Sequence, residues 1–207
     1  MHVATIIHKV ETTEKLIAFT FDDGPHPIYT IELLDILQEV SGKATFFMIG
    51  EEMERNRSIA EAVHNQGHEI GNHTYSHPSL PGLPIHEASE EIRKTDEIIR
   101  SITLQEVSSF RPPYFDENED ILRLACEAGY DTIGALNLEA RDWDNPGTEH
   151  IIDKSRDSLV SGSILIFHDG YGDRSQTVQA VRSLAHELTA KGYRLVTIRE
   201  LMAAGRN

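Results

Sequence analysis

Short runs rich in Ile, Val and Phe alternate along this chain with longer segments whose apolar residues recur every three or four positions, and this alternation limits the fold most. A strand followed by a helix that covers it, repeated, is the signature of a largely parallel sheet. The strand-like runs are 16–22, 44–49, 68–72, 107–111, 132–138, 163–168 and 193–198. Between them, Ala88, Ile92, Thr95 and Ile99, and again Val178, Val181, Leu184 and Leu188, are spaced to bury one helix face. Gly42, Gly67, Gly129 and Gly192 stand where helices should end, because glycine takes the left-handed cap conformation without steric cost. The Pro/Gly-rich stretch from Pro78 to Pro84 reads as a surface loop after the third strand. With 207 residues and no repeat, low-complexity tract or linker, one domain over 1–207 is expected, its motif-bearing core at about 16–201.

Such a pattern could open into a doubly wound sheet or curl into a barrel, and the polar residues discriminate. An open sheet gathers its ligand at one switch point, whereas a ring of parallel strands brings every carboxyl end to one mouth. Here unusual polar residues follow nearly every strand: Asp22 and Asp23, His73 and His77, Arg111, Asp142, then His168. The expectation is an α/β fold, a distorted or incomplete (β/α) barrel of about seven parallel strands.

The formal net charge is −15, with 34 acidic against 19 basic residues, so the average field repels phosphate backbones and anionic lipid. Nucleic acid and membrane insertion are therefore not expected. The single cysteine, Cys126, sits in a helix-like run and reads as a buried, inert thiol, with no internal disulfide available. The segment Met1 to His8 lacks the basic start, apolar stretch and cleavage site of a secretory signal, and no run approaches spanning length. As written the chain reads as cytoplasmic; a chain relieved of its export signal would read the same and belong to the cell envelope or exterior.

Five stations carry chemistry. In Phe19-Thr20-Phe21-Asp22-Asp23-Gly24-Pro25, two adjacent carboxylates stand where a strand meets a turn. Alone, Asp-Asp-Gly is usually a solvated turn. Leaving a strand, however, the pair points in two directions, one side chain free to hold a cation and the other to face a reacting water. In Gly71-Asn72-His73-Thr74-Tyr75-Ser76-His77 the histidines are four apart, a spacing that aims both imidazoles at one ion, although chance pairs occur among eleven histidines. Asp23 is the candidate third ligand. Phe110-Arg111-Pro112-Pro113-Tyr114 reads either as a stiff loop with a surface arginine or as a fixed guanidinium that keeps Asp22 ionised, with Tyr114 the first free backbone N–H after the prolines. Asp142-Trp143 and Leu165-Ile166-Phe167-His168 complete the set, Asp142 being placed to orient His168 and keep it protonated as a general acid. His64, His86, His150 and His186 lie in helix-like polar contexts and receive no role.

In this order the five stations closely resemble the polysaccharide deacetylase family, the carbohydrate esterases that share the NodB homology domain. The match runs from about Leu16 to Leu201: T-F-D-D-G-P is complete at Thr20 to Pro25, H-[S/T]-x-x-H at His73 to His77, and motif three stands as Arg111-Pro112-Pro113-Tyr114. Motif four, D-x-x-D-W, appears as Glu139-Ala140-Arg141-Asp142-Trp143, and motif five as Leu165 to His168. The resemblance implies a distorted (β/α) barrel with Asp22 as general base, His168 as general acid, and Asp23, His73 and His77 as ligands of a divalent metal. That metal is usually zinc, with cobalt, nickel or manganese as substitutes. It also implies that Arg111 positions the base, that the Tyr114 N–H stabilises an oxyanion, that Asp142 tunes the acid, and that Trp143 and Leu165 shape the groove around the acetyl methyl. Two departures, Glu139 for the first aspartate of motif four and Phe115 where glycine often follows motif three, bear on substrate fit rather than on any catalytic group.

The activity so implied is hydrolysis of N-acetyl groups on an amino-sugar polymer or oligosaccharide, chitin oligosaccharide or peptidoglycan N-acetylglucosamine, to amine and acetate. An acetylxylan esterase using the same metal site on O-acetyl groups is the alternative, and a carbohydrate-binding barrel without activity a more distant one. The sequence does not decide the glycan or the oligomeric state.

Overall fold

The computed structural model describes residues 5–205. Its strands are β1 (Ile6–Ile7), β2 (Leu16–Asp22), β3 (Thr45–Met48), β4 (Glu69–Asn72), β5 (Ser109–Phe110), β6 (Asp131–Ile133), β7 (Ile164–His168) and β8 (Arg194–Leu195). They lie in the order β1-β6-β5-β4-β3-β2-β7, with β8 on the lower part of β2, and all these pairings are parallel. Parallel neighbours need crossovers. These are supplied by α1 (Tyr29–Glu39), α2 (Gly50–Arg55), α3 (Arg57–Asn65), α4 (Ile85–Thr103), α5 (Glu119–Glu127), α6 (Thr148–Asp157) and α7 (Ser175–Ala190), and α8 (Ile198–Ala204) follows β8. The sheet curls into an incomplete barrel, and every strand-like run of the sequence carries a strand.

Alternation along the strands sorts the side chains into two layers. Ile17, Phe19 and Phe21 of β2 and Leu165 and Phe167 of β7 pack outward with the helices. There the Phe19 and Phe167 rings meet edge to face at 5.3 Å. Leu16, Ala18, Phe47 and Ile164 turn into the barrel and form a smaller interior cluster with Val196 and Ile198. The interior is tight enough to require glycine at 71, where a Cβ would lie 2.5 Å from the Phe47 ring. Ala88, Ile92, Thr95 and Ile99 of α4 and Val178, Val181, Leu184 and Leu188 of α7 are all buried, as their spacing requires.

Several expectations are corrected. The run 132–138 forms a strand only to Ile133, because Asn137 takes over the ladder with its side chain: Nδ2 donates to Ile166 O at 3.0 Å and Oδ1 accepts from Ile166 N at 2.7 Å. This amide joins the β6 side of the curled sheet to β7. The run 193–198 is cut to two residues because Thr197 opens α8 with a capping box, its hydroxyl accepting from Glu200 N and the Glu200 carboxylate accepting from Thr197 N. Gly42 is not the left-handed residue after α1; Ser41 is, at φ 52°, while Gly67, Gly129 and Gly192 behave as expected. The loop 78–84 contains a short 3₁₀ turn that buries Leu80 completely. Cys126 is only half-buried. β1, beside β6, had no sequence signal of its own. Among the described residues no helix is long and apolar enough to cross a membrane.

Candidate active site

The inward register of the strands delivers the site. Asp22 ends β2 opposite His168, which ends the neighbouring β7, so two groups far apart in sequence stand at the same level of one barrel mouth. His73 and Arg111 follow the inward positions of β4 and β5 and reach the same space. They surround a cleft of about 350 Å³ whose walls include Asp22, Asp23, His73, His77 and His168. A larger hollow of about 530 Å³ lies at the other end of the barrel, around Arg199 and Met202, without such a cluster.

Asp23, His73 and His77 converge: Asp23 Oδ1 is 3.4 Å from His73 Nε2 and 3.1 Å from His77 Nε2. One donor atom from each residue lies within 4.8 Å of the others. His73 Nδ1 is 2.7 Å from Arg111 O, and since a carbonyl only accepts, the ring carries its proton there and turns a bare Nε2 to the cluster. His77 is held through Nδ1 by the Tyr114 hydroxyl at 3.1 Å, a contact that the sequence did not announce. Asp23 Oδ1 is buried and has no hydrogen-bond partner. Burial alone would raise the Asp23 carboxyl, but the His73 and His77 rings that face it, with His168 beyond, hold it well below the ordinary range, so it is an anion. An orphaned carboxylate oxygen facing two ring nitrogens is a donor set for one divalent cation.

Asp22 is built differently. Its Oδ1 accepts from Arg111 Nη1 at 2.7 Å, while Oδ2 stays 3.8 Å from His73 Nε2. Arg111 is completely buried, contradicting the surface-arginine reading. Three more of its donors go to Thr20 Oγ1 (2.8 Å), Ile133 O (3.1 Å) and Gly134 O (2.9 Å). The guanidinium lies 4.3 Å from the Phe47 ring centre and 5.5 Å from that of Phe115. Burial lowers the Arg111 pKa against the opposing pull of Asp22.

Across the cleft, both oxygens of Asp142 hold His168, Oδ1 on ring Nδ1 and Oδ2 on the backbone N–H, each at 2.8 Å. Thr177 of α7 donates a further hydrogen bond to Oδ2 at 3.0 Å. Burial would lower the imidazole pKa; the charge and hydrogen bond of Asp142, with Asp22 and Asp23 beyond, outweigh it and raise the group to about 9. Trp143 stands edge-on to this ring at 5.4 Å and is 39% exposed. Glu139, the departure in motif four, is exposed on the outer surface.

Two assignments change. Leu165 does not face the cleft: it is fully buried among the helices, and Ile166, one residue on, lines the pocket. The reason is the two-residue period, which places Ile166 on the face of His168 and Leu165 on the opposite one. Asp169 was overlooked; it is wholly buried, accepts from Thr30 Oγ1 at 2.5 Å, and is pushed up to about 7 by burial, against the Thr30 hydrogen bond, and by the nearby Asp23 and Asp22. A Cβ at Gly24 would come within 2.5 Å of its carboxylate, which explains the glycine in motif one. Its only sequence signal is adjacency to His168.

The chain is similar to known proteins in sequence and in fold. A peptidoglycan-N-acetylglucosamine deacetylase of Bacillus cereus is 40% identical over 94% of the chain and 91% of its own length. A chitooligosaccharide deacetylase of Azorhizobium caulinodans is 33% identical over 90% of the chain and 94% of its own. The crystal structure of a peptidoglycan N-acetylglucosamine deacetylase superposes with a TM-score of 0.89 at 31% identity, covering 94% of this chain and 91% of that one. Residues 9–133 match the sequence profile described as polysaccharide deacetylase. The chain belongs to the polysaccharide deacetylase family.

Proposed function

We propose that this protein is a metal-dependent deacetylase that hydrolyses N-acetyl groups of an amino-sugar polymer or oligosaccharide, such as peptidoglycan N-acetylglucosamine or a chitin oligosaccharide. One observation carries the reading: a carboxylate held by Arg111 and an imidazole held by Asp142 stand as register partners on adjacent strands and line the same cleft as the Asp23, His73 and His77 cluster. The names of the relatives, two of which act on N-acetylated amino sugars, support the substrate class.

Asp23, His73 and His77 would hold the ion, and their two nitrogens and one oxygen suit zinc. When bound, such an ion supplies Lewis-acid polarisation and a water of lowered pKa. Asp22, kept ionised by Arg111 at 2.7 Å, takes the proton from the attacking water. The Tyr114 backbone N–H, on the turn after Pro112 and Pro113 beside the cleft, would stabilise the oxygen that gains negative charge. His168, kept protonated by the Asp142 carboxylate on its Nδ1, gives the proton of its other ring nitrogen, Nε2, to the departing sugar nitrogen. An amine leaves poorly without that proton, so the strength of this pair favours an amide substrate over an ester. Trp143 and Ile166 wall the acetyl end of the cleft.

The test is an acetate-release panel over chitooligosaccharides, peptidoglycan and acetylated xylan, with and without a chelator. Chelator-sensitive release from the N-acetylated glycans is expected; release from xylan alone identifies an esterase, and binding without release in any arm identifies a glycan-binding barrel.

A further inference from the structure

The loop that carries both histidines is unusually constrained. Thr74 and His77 sit at φ 68° and 62°, a left-handed conformation that side chains other than glycine rarely take. Such backbone persists only where the surroundings hold it. Here the backbone groups between the histidines are satisfied one after another. Thr74 N donates to Asn72 Oδ1 at 2.9 Å, and His77 N to Thr74 Oγ1 at 3.2 Å. The carbonyls of Thr74 and Tyr75 accept from Gly50 and Glu51 at the start of α2, each at 3.0 Å. The remaining donors converge on one carboxylate. Tyr75 N and Ser76 N donate to Glu91 Oε2 at 2.9 and 2.8 Å, and Ser76 Oγ donates to Oε1 at 3.0 Å.

We propose that Glu91, on the first half of α4, is a positioning residue that pre-forms the ion site by clamping the loop between its two histidine ligands. The inference rests on the metal-dependent reading above. Glu91 touches neither histidine and lines no part of the cleft, so it acts only through the loop. Charge-assisted hydrogen bonds to three donors are strong enough to hold strained backbone, and a half-buried position on a 19-residue helix anchors the carboxylate itself. Without the clamp, the angle between His73 and His77 is no longer fixed before the ion arrives, and binding must order the loop at its own expense. Loss of a group that orients metal ligands weakens affinity about 10- to 100-fold.

The test is competition for zinc against a chromophoric chelator, using the wild type, Glu91→Ala, Glu91→Gln and a control, Glu54→Gln. Glu54 accepts only from the Tyr75 hydroxyl, at 2.9 Å, and leaves the backbone alone. Thermal melts of the metal-free proteins run alongside. The expected result is zinc affinity weakened about tenfold or more in Glu91→Ala, less in Glu91→Gln, whose amide oxygen keeps part of the clamp, and unchanged in Glu54→Gln. A folded Glu91→Ala protein with wild-type zinc affinity overturns the proposal, even if its melt is lowered, since that is what a purely structural role gives. Should Glu91→Ala fail to fold, wild-type affinity in Glu91→Gln overturns it equally. A wild-type protein that takes no zinc refutes the functional reading, and the clamp with it.

Discussion

Asp142→Asn isolates the acid side of the cleft without changing its shape. In the native protein the ring Nδ1 and backbone N–H of His168 and the Thr177 hydroxyl all donate to Asp142. In the variant the amide oxygen is claimed by Thr177 and the His168 N–H, which leaves the amide NH₂ facing ring Nδ1. Two donors then oppose each other unless the ring gives up the Nδ1 proton, so the imidazolium is penalised by geometry as well as by lost charge. His168 lies at about 9 against 6.5 for a free imidazole, a stabilisation of the charged form by roughly 3 kcal/mol. A group raised in this way is protonated below its shifted pKa and loses its proton as pH rises through it, so it sets the alkaline limb. A cation beside Asp23 offsets the shares of Asp23 and Asp22 and places the limb somewhat lower, but leaves the Asp142 share intact. In the variant burial is no longer outweighed, and the pKa falls to the free value or below. With the native group at about 9 and the variant at the free value of 6.5, the protonated share at pH 8 drops from about nine-tenths to about 3%, a loss of at most about 30-fold at that pair of values that shrinks toward acid pH. The assay is a kcat/KM profile from pH 5 to 10 by acetate release. An alkaline limb that does not move, or a loss equal at all pH values, refutes the assignment of His168 as the acid tuned by Asp142.

Asp22→Asn should retain zinc while losing about two or more powers of ten in kcat, the scale of general-base removal; near-normal turnover in the metal-loaded variant sinks the base assignment. His73→Ala should weaken zinc binding and recover activity in excess zinc, and unchanged metal content by elemental analysis argues against the ligand role. Arg111→Ala leaves Asp22 buried without its partner and should cost about 3–5 kcal/mol, read as a lower urea midpoint at pH 7; an unchanged midpoint means that water replaces the guanidinium freely.

The fold was legible where the chain repeats its pattern and obscure where a single side chain intervenes. Leu16 to Phe21 is a nearly continuous apolar run, the mark of a strand buried on both faces, and that run places β2, while the strand itself turns Ile17, Phe19 and Phe21 to the helices and Leu16 and Ala18 to the barrel. Nothing local marks Asn137 as a surrogate for ladder hydrogen bonds, because its partner is Ile166, so the end of β6 could not be read from neighbouring residues. The end of β8 was readable in principle: Thr197 and Glu200 spell a capping box, a signal outweighed by the apolar residues on either side.

The candidate site divides along the same line, and its division says something about what a motif encodes. The residue types in the five stations name the groups that meet: Asp22 with Arg111, Asp23 with His73 and His77, Asp142 with His168. They do not name what holds those groups at fixed angles, since the Thr177 hydroxyl and the Glu91 carboxylate come from helices whose sequences read as ordinary amphipathic surface. Leu165 shows the same limit at one residue's resolution. As a letter in a motif it and Ile166 are interchangeable, but the strand turns Ile166 toward the cleft and Leu165 toward the helices. A substitution at 165 should therefore be read in the melting temperature and one at 166 in KM, because only the second touches the cleft.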